Sequence, residues 1–144
     1  MARRRLGRED GASAVEMALI APLLFMLIFG IIGFGLAFLQ VQSIKTAVRE
    51  GGRAGAVGAS VSEIRQKTVD ASSGAIPSAL QNTVAVNPNP QSGPVCTSNN
   101  IGSDVTVEFD TQNLNGGTGI AVRIPLLPDI HITPVITASF RCEV

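Results

Sequence analysis

The sequence has few of the side chains on which most catalytic and binding sites depend. Among 144 residues it has no tryptophan, no tyrosine and one histidine, His131. A single histidine excludes a multi-histidine zinc site and leaves no convincing Ser-His-Asp set. Basic residues beyond the N-terminus are scattered and aromatic residues are sparse, which argues against nucleic-acid binding. We therefore expect no enzymatic activity, no cofactor, no metal site and no nucleic-acid partner.

Two weaker chemical patterns do not change this expectation. Asp104, Glu108 and Asp110 alternate along one predicted strand and could attract a cation, although a solvated strand face is the favoured interpretation. The "GGTG" at residues 116–119 lacks the lysine and the helix that would follow it in a phosphate-binding loop.

A second absence is that of charge between Glu16 and Lys45. Residues 17–39 carry no charged side chain, and as a helix they would extend about 34 Å. The hydrocarbon core of a bilayer is about 30 Å thick, and a chain of this size could not enclose so apolar a helix in its own core. This segment therefore predicts a single membrane-spanning helix.

Basic residues on both sides of this segment bear on its orientation. Four arginines lie within the first eight residues: Arg3, Arg4, Arg5 and Arg8. They favour a cytoplasmic N-terminus, while Lys45, Arg49 and Arg53 on the far side weaken the bias. We expect a single-pass protein of the cytoplasmic (inner) membrane whose C-terminal part is periplasmic or extracellular.

The predicted topology indicates the state of the two cysteines. Cys96 and Cys142 both lie beyond the span, in a compartment that would be oxidising, so a disulfide is favoured over a metal pair. Closing the loop between them would stabilise the outer domain by roughly 4 kcal/mol in the chain-entropy model.

The helical pattern continues beyond the span. Apolar residues recur at spacings of three and four through residues 41–59, although glycines at 51, 52, 55 and 58 lower the helical propensity. Either Gly51, Gly55 and Ala59 form a small-residue stripe for close packing, or the helix frays into a glycine-rich hinge. Ser60 and Glu63 form an S-x-x-E box that could begin a second helix.

After residue 80 the pattern changes to that of strands. Residues 103–111 alternate apolar and polar side chains, residues 119–127 and 134–144 are further strand candidates, and "NTVAVN" is a shorter one. The turn at residues 113–119 could join two strands as a hairpin. We thus predict an α+β chain.

Four segments are expected in this chain. They are a basic leader (1–11), a membrane helix (12–40), an amphipathic helical stalk with a break near 58–62 (41–80), and a β-rich extracytoplasmic domain with one disulfide (81–144).

Two stretches of the N-terminal half are "GASAVEMALIAPLLFMLIFGIIGFG" and "AVREGGRAGAVG". Together they resemble the TadE-like family, pseudopilins of the tight-adherence pilus machinery. In the second, the A-x-R-E-G-x-R pattern of the family is matched residue by residue: Ala47, Arg49, Glu50, Gly51 and Arg53. The resemblance covers roughly residues 7–60 and implies a part in assembling a tight-adherence type IV pilus or a related secretion apparatus.

The resemblance also implies roles for residues near the N-terminus. Prepilin peptidase should cut between Gly11 and Ala12, which makes Glu16 the fifth mature residue. The new α-amine and the Glu16 carboxylate would lie one helical turn apart on the same side. An unpaired carboxylate within lipid costs about 2.5–3.5 kcal/mol, and the amine of a neighbouring subunit could supply the missing charge. Without the resemblance, Glu16 would read as a residue that marks the membrane border.

Further residues of the span have two interpretations each. Pro22 either kinks the helix for packing or is simply tolerated within the membrane, and the second is slightly favoured. Gly33 and Ala37 have the small-xxx-small spacing, which is compatible with helix-to-helix contact in lipid.

Two functions remain open at this point. The first is a membrane-anchored pseudopilin with these partners: prepilin peptidase, other pilins or pseudopilins through the apolar helix, the inner-membrane assembly platform, and membrane lipid. The alternative is an unprocessed single-span anchor whose outer domain binds a ligand or a cell-wall component. The fate of residues 1–11 distinguishes them.

Overall fold

The structure, a computed structural model, describes residues 9–91 and 93–143. The four leader arginines lie outside the described residues. The helices are α1 (Glu9–Ala56) and α2 (Val61–Ala71), and the strands are β1 (Ala85–Asn87), β2 (Asp104–Asp110), β3 (Ile120–Val122), β4 (Ile130–Ile132) and β5 (Val135–Arg141). Short 3-10 segments cover Ser78–Thr83 and Thr111–Gly116. A long apolar helix followed by a small β-sheet region confirms the predicted α+β class.

The chain turns sharply between the two helices. Gly58 adopts φ of +89°, and the amides of Gly58 and Ala59 donate to the carbonyls of Gly55 and Ala54 at 3.0 and 3.1 Å. This pair of bonds is a Schellman motif, which ends a helix by satisfying its last carbonyl groups. Ser60 then caps α2, and the predicted S-x-x-E box is confirmed because its hydroxyl and the Glu63 carboxylate bond each other's backbone amides.

The strands form two sheets. The larger one has the order β1-β2-β5, and all its pairs are antiparallel, with Val107 of β2 opposite both Val86 and Ala138. In β2 the side chains of Val105, Val107 and Phe109 are fully buried, which confirms the predicted alternation. The smaller sheet is the antiparallel pair β3 and β4.

The core lies between α1, α2 and the larger sheet. From residue 37 onward α1 has a buried stripe at spacings of three and four, which ends in close contacts at Gly51 and Gly55. We call the described part of residues 57–143 the head. α2 runs antiparallel to α1, since Gly55 lies against Ile64 while the Ser43 hydroxyl donates to the Ser72 carbonyl at 2.6 Å. Residues 41–56 thus complete α1, and α2 folds back beside it.

Two strand-level predictions are wrong. Residues 113–119 do not join a hairpin, because β2 pairs with β1 and β5 while β3 pairs with β4. Asp110 accepts a hydrogen bond from the amide of Gln112 at 2.8 Å, which starts a 3-10 turn and carries the chain out of the first sheet. Within residues 119–127 only Ile120–Val122 is a strand, since Pro125 has no amide to donate to a ladder.

Candidate assembly surface

The residues singled out near the N-terminus lie on a bare stretch of helix. Gly11, Ala12 and Glu16 are all exposed and all belong to α1. Ala12 and Glu16 are four residues apart and so lie on one side of the helix. No cation lies within 4 Å of the Glu16 carboxylate among the described residues.

The N-terminal segment of α1 (residues 12–32) packs against neither α2 nor the larger sheet. Its large apolar side chains are from 40% (Ile28) to 75% (Leu19) exposed, apart from the half-buried Met26. The helix is long and apolar enough to cross a membrane, and none of its most apolar window is buried within the chain. It continues without interruption through Pro22. An apolar surface of this size on a folded chain indicates that lipid or other helices cover it.

The A-x-R-E-G-x-R stretch divides into an inner and an outer face. Ala47 and Gly51 are buried and pack inward, whereas Arg49, Glu50 and Arg53 are exposed on the helix. The two small residues are therefore explained by packing of the head. The three charged residues are free to contact another molecule, because no ion pair joins them within the described part of the chain.

The small-residue stripe is explained by contacts within the chain. A methyl group added to Gly51 would overlap the Thr68 hydroxyl, and one added to Gly55 would lie 3.0 Å from Ile64 Cδ1 and 3.1 Å from Val105 Cγ2. Helix α1 continues through both glycines, which decides between the two interpretations in favour of close packing. Ala59 is not part of the stripe, since α1 ends at Ala56.

Gly33 and Ala37 also contact the protein's own head. A methyl group on Gly33 would lie 2.7 Å from the Arg123 carbonyl oxygen and 3.6 Å from Val122 Cγ1. Ala37 is 4% exposed. The end of β3 thus occupies the position that the spacing suggested for another membrane helix.

The loop between β3 and β4 continues along α1 toward the N-terminus. Pro125 and Leu126 form one wall of an apolar groove whose other wall is Pro22, Phe25 and Phe29 of α1. Sequence reasoning missed this groove, because the pattern of residues 119–127 predicts one strand. The signal that could have found it is the pair of prolines at 125 and 128, which break a strand and enclose two leucines.

The cysteines meet as predicted. Cys96 and Cys142 form a disulfide with their Cα atoms 5.4 Å apart, and both are buried. The bond fastens the end of β5 to the loop that follows β1. Next to it, the Glu143 amide donates to the Ala56 carbonyl at 3.0 Å, which holds the C-terminal end of the chain at the end of α1.

The weaker chemical candidates are divided between the two sheets, with His131 on β4 and the three carboxylates on β2. His131 is exposed on the edge strand β4, opposite Ala121. Glu108 accepts a hydrogen bond from the Thr137 hydroxyl at 3.4 Å, and Asp110 is engaged at the start of its 3-10 turn. Within residues 9–91 and 93–143, no cluster of three or more His, Cys, Asp or Glu side chains is suited to a metal ion.

Comparison with known protein families gives a match within α1. Residues 11–53 match the TadE-like protein family. The match begins at the predicted cleavage position, contains Glu16 and ends at Arg53, so the TadE-like segment lies wholly within α1 and covers less than a third of the 144 residues. TadE-like proteins are membrane-associated and take part in pilus assembly in general. No curated protein and no solved structure matches the chain significantly.

Proposed function

We propose that the protein is a membrane-anchored pseudopilin that contributes to the assembly of a tight-adherence type IV pilus or a related secretion apparatus. In this proposal, prepilin peptidase removes residues 1–11. The N-terminal segment of α1 then associates laterally with the helices of other pilins or pseudopilins at the inner-membrane assembly platform. The role is structural, so it requires no cofactor and no catalytic residue of this chain.

Glu16 is the observation that carries the proposal. It is the only charged side chain between Gly11 and Lys45, it is exposed on a segment that packs against neither α2 nor the larger sheet, and it lies within the TadE-like segment. A carboxylate at the border of an apolar helix is energetically unfavourable in lipid unless a cation pairs with it. Cleavage after Gly11 would create such a cation, the α-ammonium of Ala12, on every processed copy.

The amine and the carboxylate of one copy are poorly suited to satisfy each other completely. They are joined by one turn of an exposed helix, where an i,i+4 pair contributes only about 0.2–0.5 kcal/mol. Placed against an adjacent helix in lipid, the same charges gain from a lower dielectric constant. The proposal therefore pairs Glu16 of one subunit with Ala12 of the next.

The leader arginines and the disulfide support one orientation. Clustered arginines at residues 3–8 favour a cytoplasmic N-terminus. A disulfide between Cys96 and Cys142 suits an oxidising compartment on the other side of the membrane. Both fit an inner-membrane protein whose head is periplasmic or extracellular.

The mass of the mature protein tests the proposal against an unprocessed anchor. The full chain is expressed in cells that contain prepilin peptidase, extracted from membranes and analysed by intact mass. We expect an N-terminus at Ala12, and we expect Gly11→Leu to retain residues 1–11 because a bulky side chain replaces the glycine before the cut. A wild-type protein that still begins at Met1 or Ala2 would favour the anchor with a ligand- or cell-wall-binding domain.

A further inference from the structure

The loop between β3 and β4 exposes an apolar tip beside the N-terminal segment of α1. We define the tip as residues 124–128, Ile-Pro-Leu-Leu-Pro. Leu126 is 90% exposed and Leu127 is 45% exposed. An exposed pair of leucines at the end of a loop has no role in the core of the head, so it indicates contact with something else.

The backbone of the tip holds Leu126 in an unfavourable conformation. The Leu127 amide donates to the Ile124 carbonyl at 3.1 Å, with Pro125 and Leu126 at the two central positions. Leu126 has φ of +71°, the arrangement of a type II turn, in which glycine or asparagine normally occupies that position. A leucine there is disfavoured by the clash of its Cβ, and such outliers occur where a side chain is needed for function.

The flanks of the tip are charged and the tip is not. Arg123 and Asp129 stand on either side and form an ion pair at 3.6 Å, with exposed fractions of 83% and 45%. Both residues line a groove with Gly33 and Leu36 of α1. Leu126 also lines the groove that lies further toward the N-terminus, together with Phe25 and Phe29.

These positions show how far the tip extends along α1 from Gly33 toward the N-terminus. Four to eight residues separate Gly33 from Phe29 and Phe25, which is roughly 6–12 Å at the rise of an α-helix. Elements that lie in a membrane interface bury their apolar face by about 5–10 Å. If the ion pair marks the lipid border, residues 12–32 remain to cross the membrane, and their length of about 31 Å matches a hydrocarbon core of about 30 Å.

We propose that the tip inserts into the lipid leaflet on the head's side of the membrane, next to its own helix. This inference rests on the proposed membrane anchorage of α1. Lipid is chosen because the tip is continuous with the apolar surface of the N-terminal segment, at the same depth. The head is then tethered to the bilayer at two places, and the border of the span lies near Gly33 instead of Gln40.

Tryptophan fluorescence can measure the depth of the tip, because the chain has no tryptophan of its own. Leu126→Trp and Leu127→Trp are made separately in the full chain, which is reconstituted in phosphatidylcholine vesicles brominated either near the headgroups or near the chain ends. Ile101→Trp is the matched control, because Ile101 is an apolar turn residue that is 63% exposed. It lies near the far end of α1, since the amide of the next residue, Gly102, donates to the Cys142 carbonyl. Leu27→Trp, on the N-terminal segment, reports anchorage.

We expect both tip variants to lose emission to the shallow bromines and less to the deep ones, with Ile101→Trp unaffected. Unquenched tip variants beside a quenched Leu27→Trp would overturn the insertion and leave the anchor intact. A blue shift without lipid quenching, or quenching that disappears as the protein-to-lipid ratio rises, would assign the tip to a second copy and also overturn it. An unquenched Leu27→Trp would overturn both the insertion and the proposed anchorage.

Discussion

Replacing Gly51 with alanine probes the contact that joins α1 to the head. A Cβ on Gly51 would overlap the Thr68 hydroxyl and lie 3.3 Å from Thr68 Cβ. Thr68 is fully buried, and its hydroxyl donates to the Ile64 carbonyl at 2.8 Å. The new methyl group must therefore displace this side chain or move the two helices apart.

The expected cost is the balance of three effects. Overpacking a buried contact costs about 1–3 kcal/mol, and displacing the Thr68 hydroxyl from its acceptor costs about 0.5–1.5 kcal/mol. Alanine is the better helix former by about 1 kcal/mol. The net loss is roughly 0.5–3.5 kcal/mol in the free energy of opening α2, which corresponds to amide exchange faster by about 2- to 400-fold.

Hydrogen exchange followed by mass spectrometry on the full chain in detergent micelles measures this effect in α2. Adding Thr68→Ala to Gly51→Ala removes the overlapping atom, so the pair should recover most of the protection that Gly51→Ala alone loses. Gly35→Ala is the matched control, since nothing lies within 4 Å of its Cβ. Unchanged or slower exchange in Gly51→Ala would refute the close approach of the two helices at this glycine.

Two further predictions concern the head. Replacing Cys96 and Cys142 together by serine opens a loop of 46 residues and should lower the free energy of unfolding by about 4 kcal/mol in urea titrations, whereas an unchanged midpoint would contradict this. The Ser60 amide and hydroxyl both donate to the Glu63 carboxylate at 2.8 Å and hold the pKa of Glu63 below its ordinary 4.5. The stabilisation is present above pH 4.5 and is lost as the pH falls through the lower pKa of the folded state. Glu63→Gln should therefore weaken the dependence of the thermal midpoint on pH below 4.5. A Glu63→Gln profile as steep as that of the wild type would argue against the capping role.

Patterns with a short physical range were predictable from the sequence. The box at Ser60 and Glu63 depends on residues three apart, and the alternation of Val105, Val107 and Phe109 depends only on the two-residue period of a strand. The disulfide followed from topology, because both cysteines lie beyond the apolar helix. Each of these features required no knowledge of which strand lies beside which.

Features that depend on tertiary contacts were not predictable. The spacing of Gly33 and Ala37 is the same whether another helix or the protein's own β3 approaches it, and only the fold selects β3. Residues 113–119 contain ideal turn glycines, yet the partner of β3 is the later strand β4, which no local signal names. The sequence identified Glu16, but the length of α1 that extends beyond the head depends on where the head packs along the helix.

The variant Glu16→Gln tests the central claim most directly, namely that this carboxylate serves assembly and not membrane insertion. The full-length variant is compared with Asp70→Asn, which alters an exposed carboxylate on α2 that accepts a hydrogen bond from Gln66. The fraction of each protein found in membranes and in the assembled apparatus is measured in cells with the intact pilus system. We predict that Glu16→Gln is inserted normally but is depleted from the assembled fraction, while Asp70→Asn behaves as the wild type. Equal incorporation of Glu16→Gln and wild-type protein would contradict the account.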